Sequence, residues 1–129
     1  MSANYHKVLI VEDEAMLRSI IARNLSARGH EVAEAGTVSE ARAYLASERP
    51  DLLLLDINLP DRTGWDILRY LKDQGEGDQI PVVIVSAVSL NPARLAEFRP
   101  LAYLPKPFPL SALTRIVAGE PAQEEQLAG

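Results

Sequence analysis

Short apolar runs alternate with segments of helical period along this chain, and this alternation constrains the fold more than any other feature. Five runs have the length of buried strands, at residues 7–11, 31–35, 51–56, 81–86 and 102–104. Apolar residues recur every three or four positions in most of the segments between them, as on one face of a helix. Parallel strands need covering crossovers, so the pattern predicts an open parallel sheet with helices on both faces.

Local signals set the ends of several helices. The first helix is predicted from a single apolar stripe formed by Leu17, Ile20, Ile21 and Leu25. Gly29 follows at the position where a left-handed residue ends a helix. Thr37 and Glu40 form a capping box at the start of the second helix, and Gly64 opens the third. The segment 91–98 is long enough only for a short fourth helix.

Length and composition limit the class of protein. The chain has 129 residues, no cysteine and a formal net charge of −5. We expect one domain over residues 1–118, followed by an acidic, disordered tail at 119–129. Without a basic cluster, the chain is not expected to bind nucleic acid. Its apolar runs are far shorter than the ~20 residues of a membrane span, so we expect a cytoplasmic protein that does not contact membranes.

Polar residues with complementary chemistry follow the predicted strands. Glu12 and Asp13 end the first strand, Asp56 the third and Ser86 the fourth, and Lys106 follows the fifth. In an open α/β sheet these carboxyl ends meet at one edge, where ligands bind. Three carboxylates and one lysine leave an excess of negative charge that a cation would relieve. Because the donors are all oxygens, the set predicts a hard divalent ion, with Mg²⁺ first.

The same residues suit phosphoryl transfer, in which a protein must neutralise and align a transferring group. Asp56 would attack the phosphorus atom and become an acyl phosphate. Mg²⁺, Lys106 and the Ser86 hydroxyl would each bind one phosphoryl oxygen.

Four motifs in this order resemble those of response-regulator receiver domains. They are Val-Glu-Asp-Glu after the first strand, Leu-Leu-Leu-Asp-Ile-Asn-Leu-Pro-Asp-Arg-Thr-Gly around Asp56, Val-Ser-Ala at Ser86, and Tyr-Leu-Pro-Lys-Pro-Phe at 103–108. The resemblance covers roughly residues 6–118. It implies a flavodoxin-like (CheY-like) fold with strand order 2-1-3-4-5. The chain departs from the family between Ser86 and Lys106, where it is short, so we expect a short or irregular fourth helix.

The resemblance also implies individual roles for residues at the sheet edge. Asp56 would be the phosphoacceptor and Asp13 a direct Mg²⁺ ligand, with Glu12 binding through water and Asn58 through its backbone carbonyl. Lys106, Ser86 and Ala87 would bind the phosphoryl group, and the Lys106-Pro107 peptide would be cis. The two switch positions would be Ser86 and Tyr103, while Gly64 would serve the tight turn below the active-site loop.

Two other functions fit the fold class less well. A phosphohydrolase of the haloacid-dehalogenase type needs an aspartate two residues after its nucleophile, where this chain has Asn58. A flavodoxin-like nucleotide or flavin binder needs a Ser/Thr/Gly-rich phosphate loop after the first strand, where this chain has three consecutive acidic residues, 12–14.

The expected function is therefore regulatory and not enzymatic. A sensor histidine kinase or a histidine phosphotransfer protein would phosphorylate Asp56, and the modified domain would bind a downstream protein target. No output domain follows in the sequence given, so we expect a stand-alone receiver that is a monomer or a weak dimer. The alternative is that the acidic tail is the start of a linker to a further domain.

Overall fold

The computed structural model describes residues 5–76 and 79–120. Within these ranges five strands and five helices alternate. The elements are β1 (Lys7–Val11), α1 (Ala15–Ala27), β2 (Glu31–Ala35), α2 (Val38–Leu45), β3 (Leu52–Asp56), α3 (Trp65–Asp73), β4 (Val82–Ser86), α4 (Pro92–Phe98), β5 (Ala102–Pro105) and α5 (Leu110–Val117). The strands form one parallel sheet, as the sequence pattern predicts, in the order β2-β1-β3-β4-β5 that the resemblance implies.

The central strands are the most deeply buried. Every residue of β3 and β4 is buried, because helices cover both faces of the sheet there. β2 and β5 lie at the edges and are less buried: in β2 only Ala35 is buried, whereas β5 alternates between buried and more exposed residues. This explains why the sequences of β3 and β4 are almost continuously apolar, as is typical of parallel strands covered on both faces.

Two apolar clusters lie on opposite faces of the sheet. One packs α1 and α5 against inward residues such as Val8, Leu54 and Val85. The other packs α2 and α3 against the alternate residues, such as Leu9 and Leu53, with residues of α4 partly buried at its border. α4 itself has seven residues and none of them is buried, which agrees with the prediction of a short fourth helix.

The predicted helix ends are largely confirmed. Gly29 has a φ of 93°, the left-handed conformation expected just after α1. The backbone N–H of Glu40 donates to Thr37 Oγ1 at 3.0 Å, as a capping box requires. The Glu40 carboxylate accepts from the backbone N–H of Gly36 rather than from that of Thr37. The reciprocal bond of the box is therefore displaced by one residue.

One residue of the predicted apolar stripe is not buried. Ile20 is 41% exposed and Leu17 is only partly buried, whereas Ile21 and Leu25 are in the core. The prediction for Ile20 was wrong because α1 contacts the sheet and α5 along a stripe narrower than its run of apolar residues. Most of the predicted disordered tail, residues 121–129, lies outside the described residues.

Candidate functional site

Glu12, Asp56 and Lys106 meet at the carboxyl end of the sheet. Glu12 directly follows β1, Asp56 is the last residue of β3, and Lys106 directly follows β5. The Lys106 Nζ lies 2.8 Å from Glu12 Oε1 and 3.1 Å from Asp56 Oδ2. Because β4 separates β3 from β5, the lysine side chain crosses the end of β4 to reach both carboxylates.

These charges are largely removed from solvent. Glu12 is 1% exposed and Asp56 is 3% exposed. Buried charges persist when they are paired, and here one ammonium serves two carboxylates. Glu12 Oε1 contacts the Lys106 ammonium at 2.8 Å as an ion pair and makes no other polar contact with a described residue. The site thus has an excess of negative charge.

A third carboxylate completes an acidic cluster. One carboxylate oxygen from each of Glu12, Asp13 and Asp56 lies within 4.8 Å of the others. Asp13 is exposed, so the cluster opens to solvent on one side. Oxygen donors at this spacing fit a hard divalent cation, and Glu12 Oε1, whose one polar contact among the described residues is Lys106, is a further acceptor for such an ion or its bound water. The residues present therefore fit Mg²⁺.

The surroundings shift two pKa values in the cluster. Burial raises the pKa of Glu12 to about 7, against the opposing effect of the Lys106 ammonium, and the Asp56 charge adds to the rise. Burial alone would lower the pKa of Lys106, but its contacts with Glu12 and Asp56 outweigh this and raise it. Lys106 is consequently a permanent cation at neutral pH, whereas Glu12 can hold a proton when no metal ion is near.

The loop after β3 holds the Asp56 carboxylate and backbone in place. Asp56 Oδ1 accepts a hydrogen bond from the backbone N–H of Asn58 at 3.1 Å. The loop closes where Asn58 pairs with Thr63 and where the Gly64 N–H donates to the Ile57 carbonyl at 2.7 Å. A Cβ atom at Gly64 would lie 2.6 Å from the Asp56 carbonyl oxygen. Only glycine therefore fits here, and the reason is close backbone approach, since the φ of Gly64 is an ordinary −62°.

Ser86 and Tyr103 are joined through the loop after β4. Ser86 is fully buried, and its Oγ accepts from the backbone N–H of Val88 at 3.2 Å. The Tyr103 hydroxyl donates to the carbonyl of the same Val88 at 3.3 Å. Ala87, which lies between Ser86 and Val88 in the chain, is exposed. A movement of Val88 would therefore alter contacts of both predicted switch residues.

The structure brings together most of the residues singled out in the sequence. Lys106-Pro107 is a cis peptide, as predicted. The Lys106 backbone N–H also donates to the Ser86 carbonyl at 2.8 Å, which fixes the start of this segment on β4. Within the described part of the chain, neither the Ser86 nor the Tyr103 side chain makes a hydrogen bond to Asp56, Glu12 or Lys106.

Sequence reasoning missed two residues that support the site. Arg18 of α1 donates to the Glu12 backbone carbonyl at 2.7 Å and also pairs with Glu34. Asp61, in the loop after β3, accepts from the backbone N–H groups of Val38 and Ser39 and so ties that loop to α2. An aspartate close after Asp56 could have drawn attention to Asp61, whereas Arg18 has no signal beyond one charged residue on a helix.

Comparison with known proteins assigns the chain to a family. The model of the response regulator receiver domain matches residues 8–118, nearly all of the described residues, and the chain belongs to this family. This confirms the resemblance inferred from the motifs. The family is regulatory, and its members act in two-component signalling.

Two curated relatives illustrate the similarity. Response regulator MprA of Mycobacterium tuberculosis (strain ATCC 25618 / H37Rv) is 37% identical over 109 residues, which cover 83% of this chain and 46% of the relative. Response regulator MprA of Mycobacterium avium (strain 104) is 36% identical over 109 residues, covering 83% and 47%. The chain thus spans about half the length of these relatives.

Solved structures agree on the fold. A CheY-like receiver domain protein from Methanospirillum hungatei JF-1 superposes with a TM-score of 0.79 at 26% identity, over 88% of this chain and 90% of that one. The receiver domain of the Francisella response regulator 1452 gives a TM-score of 0.78 at 25% identity, over 87% of this chain and 93% of that one.

Over residues 5–76 and 79–120, no helix is long and apolar enough to cross a membrane.

Proposed function

We propose that Asp56 accepts a phosphoryl group from the phosphohistidine of a sensor histidine kinase or a histidine phosphotransfer protein. An Asp56 carboxylate oxygen attacks phosphorus, the P–N bond breaks, and the leaving imidazole nitrogen keeps the electron pair and can take up a proton. The observation that carries the proposal is the Lys106 ammonium, 3.1 Å from Asp56 Oδ2 at the ligand-binding edge of the sheet. The product is an acyl phosphate on Asp56.

The acidic cluster is the proposed site for Mg²⁺. Asp13 and Asp56 would bind the ion directly, Glu12 through water, and Asn58 through its backbone carbonyl. When bound, Mg²⁺ supplies positive charge that neutralises phosphoryl oxygens. The chain's own part is to hold these oxygen donors together, and the three carboxylates already lie within 4.8 Å of one another.

Lys106, Ser86 and Ala87 would bind the phosphoryl group once it is attached. The Lys106 ammonium now contacts an Asp56 carboxylate oxygen. It is close enough to form an ion pair with a phosphoryl oxygen on Asp56 instead. The Ser86 hydroxyl would give up the backbone N–H of Val88 and turn toward a second oxygen. The backbone N–H of Ala87 would serve a third.

This rearrangement would transmit the modification to a protein-binding surface. When Ser86 releases Val88, the loop after β4 moves and the hydrogen bond from Tyr103 to the Val88 carbonyl is broken or reshaped. α4 follows this loop and has no buried residue, so it can shift at low cost in free energy. A downstream protein target would recognise the altered α4 and Tyr103, in the cytoplasm where such kinases deliver phosphoryl groups.

Small phosphodonors give a direct test of the proposal. The protein is incubated with acetyl phosphate in the presence and absence of Mg²⁺, and its intact mass is measured over time. We expect the addition of one phosphoryl group with Mg²⁺ and almost none with EDTA. The adduct should be absent in Asp56→Asn and present in the control Asp73→Asn, which changes an exposed aspartate of α3. Phosphorylation of Asp56→Asn at the normal rate would overturn the proposal.

A further inference from the structure

A surface cleft between α2 and α3 carries chemistry that phosphorylation of Asp56 does not use. Its volume is about 410 Å³, and its polar lining includes Arg42, Arg62 and Ser39. Tyr70 and the small side chains of α2 form its apolar part. The volume is in the range of small-molecule sites, roughly 300–1,000 Å³.

The two arginines differ from most cations of the chain. Among the described residues, cations such as Lys7, Arg18 and Arg49 lie within 4 Å of a carboxylate. Within the same part of the chain, neither Arg42 nor Arg62 has an ion pair or a side-chain hydrogen bond in the structure. The cleft is thus lined by two guanidinium groups without a carboxylate partner among the described residues, in a protein of net charge −5.

Arg42 lies over an aromatic ring at the cleft. Its guanidinium carbon lies 4.6 Å from the centre of the Tyr70 ring. A guanidinium group in such a contact keeps N–H donors that can form a two-pronged contact with a carboxylate or phosphate. Stacking also lowers the conformational entropy that Arg42 would lose on binding.

The backbone N–H groups at the N-terminus of α2 already have a partner within the protein. Asp61 already accepts hydrogen bonds from the backbone N–H groups of Val38 and Ser39, at 2.9 and 3.1 Å, and from the Ser39 hydroxyl at 3.2 Å. The backbone N–H of Arg62 also donates to Asp61 Oδ1 at 3.0 Å, so four donors satisfy this carboxylate. The unused donors of the cleft are those of Arg42 and Arg62.

We propose that this cleft binds a small organic anion, a carboxylate or a phosphate monoester on a compact apolar body. The anionic group contacts Arg42 and Arg62, and the body packs against Tyr70, Ala43 and Ala46. This site is separate from the acidic cluster and does not rest on the proposed phosphorylation.

Phenyl phosphate is a suitable probe, with benzyl alcohol as its neutral match. Amide chemical shifts of the full chain are followed by NMR while each compound is added, in EDTA so that no metal ion is bound. We expect saturable shifts centred on residues 38–46, 62 and 70 with phenyl phosphate, at a dissociation constant in the millimolar range. Inorganic phosphate should give the same pattern with lower affinity.

Substitutions separate the site from non-specific attraction. Arg42→Gln and Arg62→Gln should each weaken binding by about tenfold or more, since each removes a charge-assisted contact. Arg23→Gln, which changes an exposed and unpaired arginine of α1, should leave it unaltered. Arg62→Lys should retain part of the affinity, and a dispersed spectrum shows that each variant is folded. Arg62→Gln alone tests the proposal if Arg42→Gln is unfolded.

The outcomes that would overturn the proposal are distinct from failure of phosphorylation. Binding of phenyl phosphate must persist in Asp56→Asn, which lacks the proposed phosphoacceptor. Shifts centred on Lys106 instead of Tyr70 would place the probe at the other site. Equal shifts with benzyl alcohol, unaltered affinity in Arg62→Gln, or no saturation at all would each refute an anion site in the cleft.

Discussion

The Lys106 ammonium lies 3.1 Å from the Asp56 carboxylate, although 50 positions separate the two residues in the chain. Three parallel strands are needed to bring them together, since β4 lies between β3 and β5. The contact is therefore a product of the whole sheet, and it ties the chemistry of Asp56 to the segment that follows β5.

Removing the Lys106 charge should slow phosphorylation of Asp56. Lys106→Met deprives the phosphoryl group of one charge-assisted contact, worth ~1.5–3 kcal/mol, so the rate with acetyl phosphate and Mg²⁺ should fall by about 10- to 100-fold. Intact mass measured over time gives this rate. The control Lys7→Met changes a lysine at the opposite end of β1, paired with Glu48, and should leave the rate unchanged. An unaltered rate in Lys106→Met would show that Lys106 does not bind the transferring group.

Gly64→Ala should destabilise the protein through backbone contact. Its Cβ would lie 2.6 Å from the Asp56 carbonyl oxygen, so the loop must move at a cost of about 1–3 kcal/mol. Urea unfolding measures the change. Gly36→Ala is the matched control, because its Cβ would meet the flexible end of Arg18 at 3.0 Å. If both variants lose the same stability, the close approach at Asp56 is not the cause.

Contacts with α3 should control the mobility of α4. Phe98 stacks on Trp65 with ring centres 5.8 Å apart, and Glu97 pairs with Arg69 and Lys72. Phe98→Ala should therefore increase amide hydrogen exchange in residues 92–98 while global stability changes little, because α4 has no buried residue. Unchanged exchange in α4 would mean that other contacts hold the helix.

The charge on Glu97 should contribute less to this anchoring. Glu97→Gln should raise exchange in α4 more weakly than Phe98→Ala, because exposed ion pairs are each worth about 0–1 kcal/mol. High salt should reduce the difference between Glu97→Gln and the parent protein. A larger effect from Glu97→Gln than from Phe98→Ala would contradict this ranking.

Asp61 should make the stability of the start of α2 depend on pH. Hydrogen bonds from Val38, and then from Ser39, hold the pKa of Asp61 below its ordinary value. A depressed folded-state pKa means that its stabilising effect is complete above the pKa of an unfolded aspartate and is lost as pH falls through the folded-state value. NMR titration of the Asp61 carboxyl carbon should show this low midpoint, and Asp61→Asn should flatten the acid limb of the stability profile. A midpoint at or above the ordinary aspartate value would contradict it.

The fold could be predicted because its signals are local. The run 52–55 is apolar on both faces, which indicates a covered parallel strand, and Gly29 and Thr37 mark helix ends by their own conformational preferences. The acidic edge was also predictable, since carboxyl ends of parallel strands meet whatever the intervening chain contains.

The missed features depend on contacts between distant elements. The stacking of Trp65 on Phe98 depends on how α4 lies on α3, which no local pattern indicates. Ile20 has the right spacing for the α1 stripe, but the width of the buried face is set by α5 and the sheet. The unpaired Arg42 and Arg62 likewise become notable only when α2 and α3 are seen side by side.

The most direct test of the central claim locates the acyl phosphate in the chain. Borohydride reduces an aspartyl phosphate to homoserine, so the protein is treated with acetyl phosphate and Mg²⁺, reduced, digested and sequenced by mass spectrometry. We predict homoserine at position 56, at no other aspartate, and only when Mg²⁺ was present. Homoserine at Asp13 or another aspartate, with Asp56 intact, would contradict the assignment of Asp56 as the phosphoacceptor.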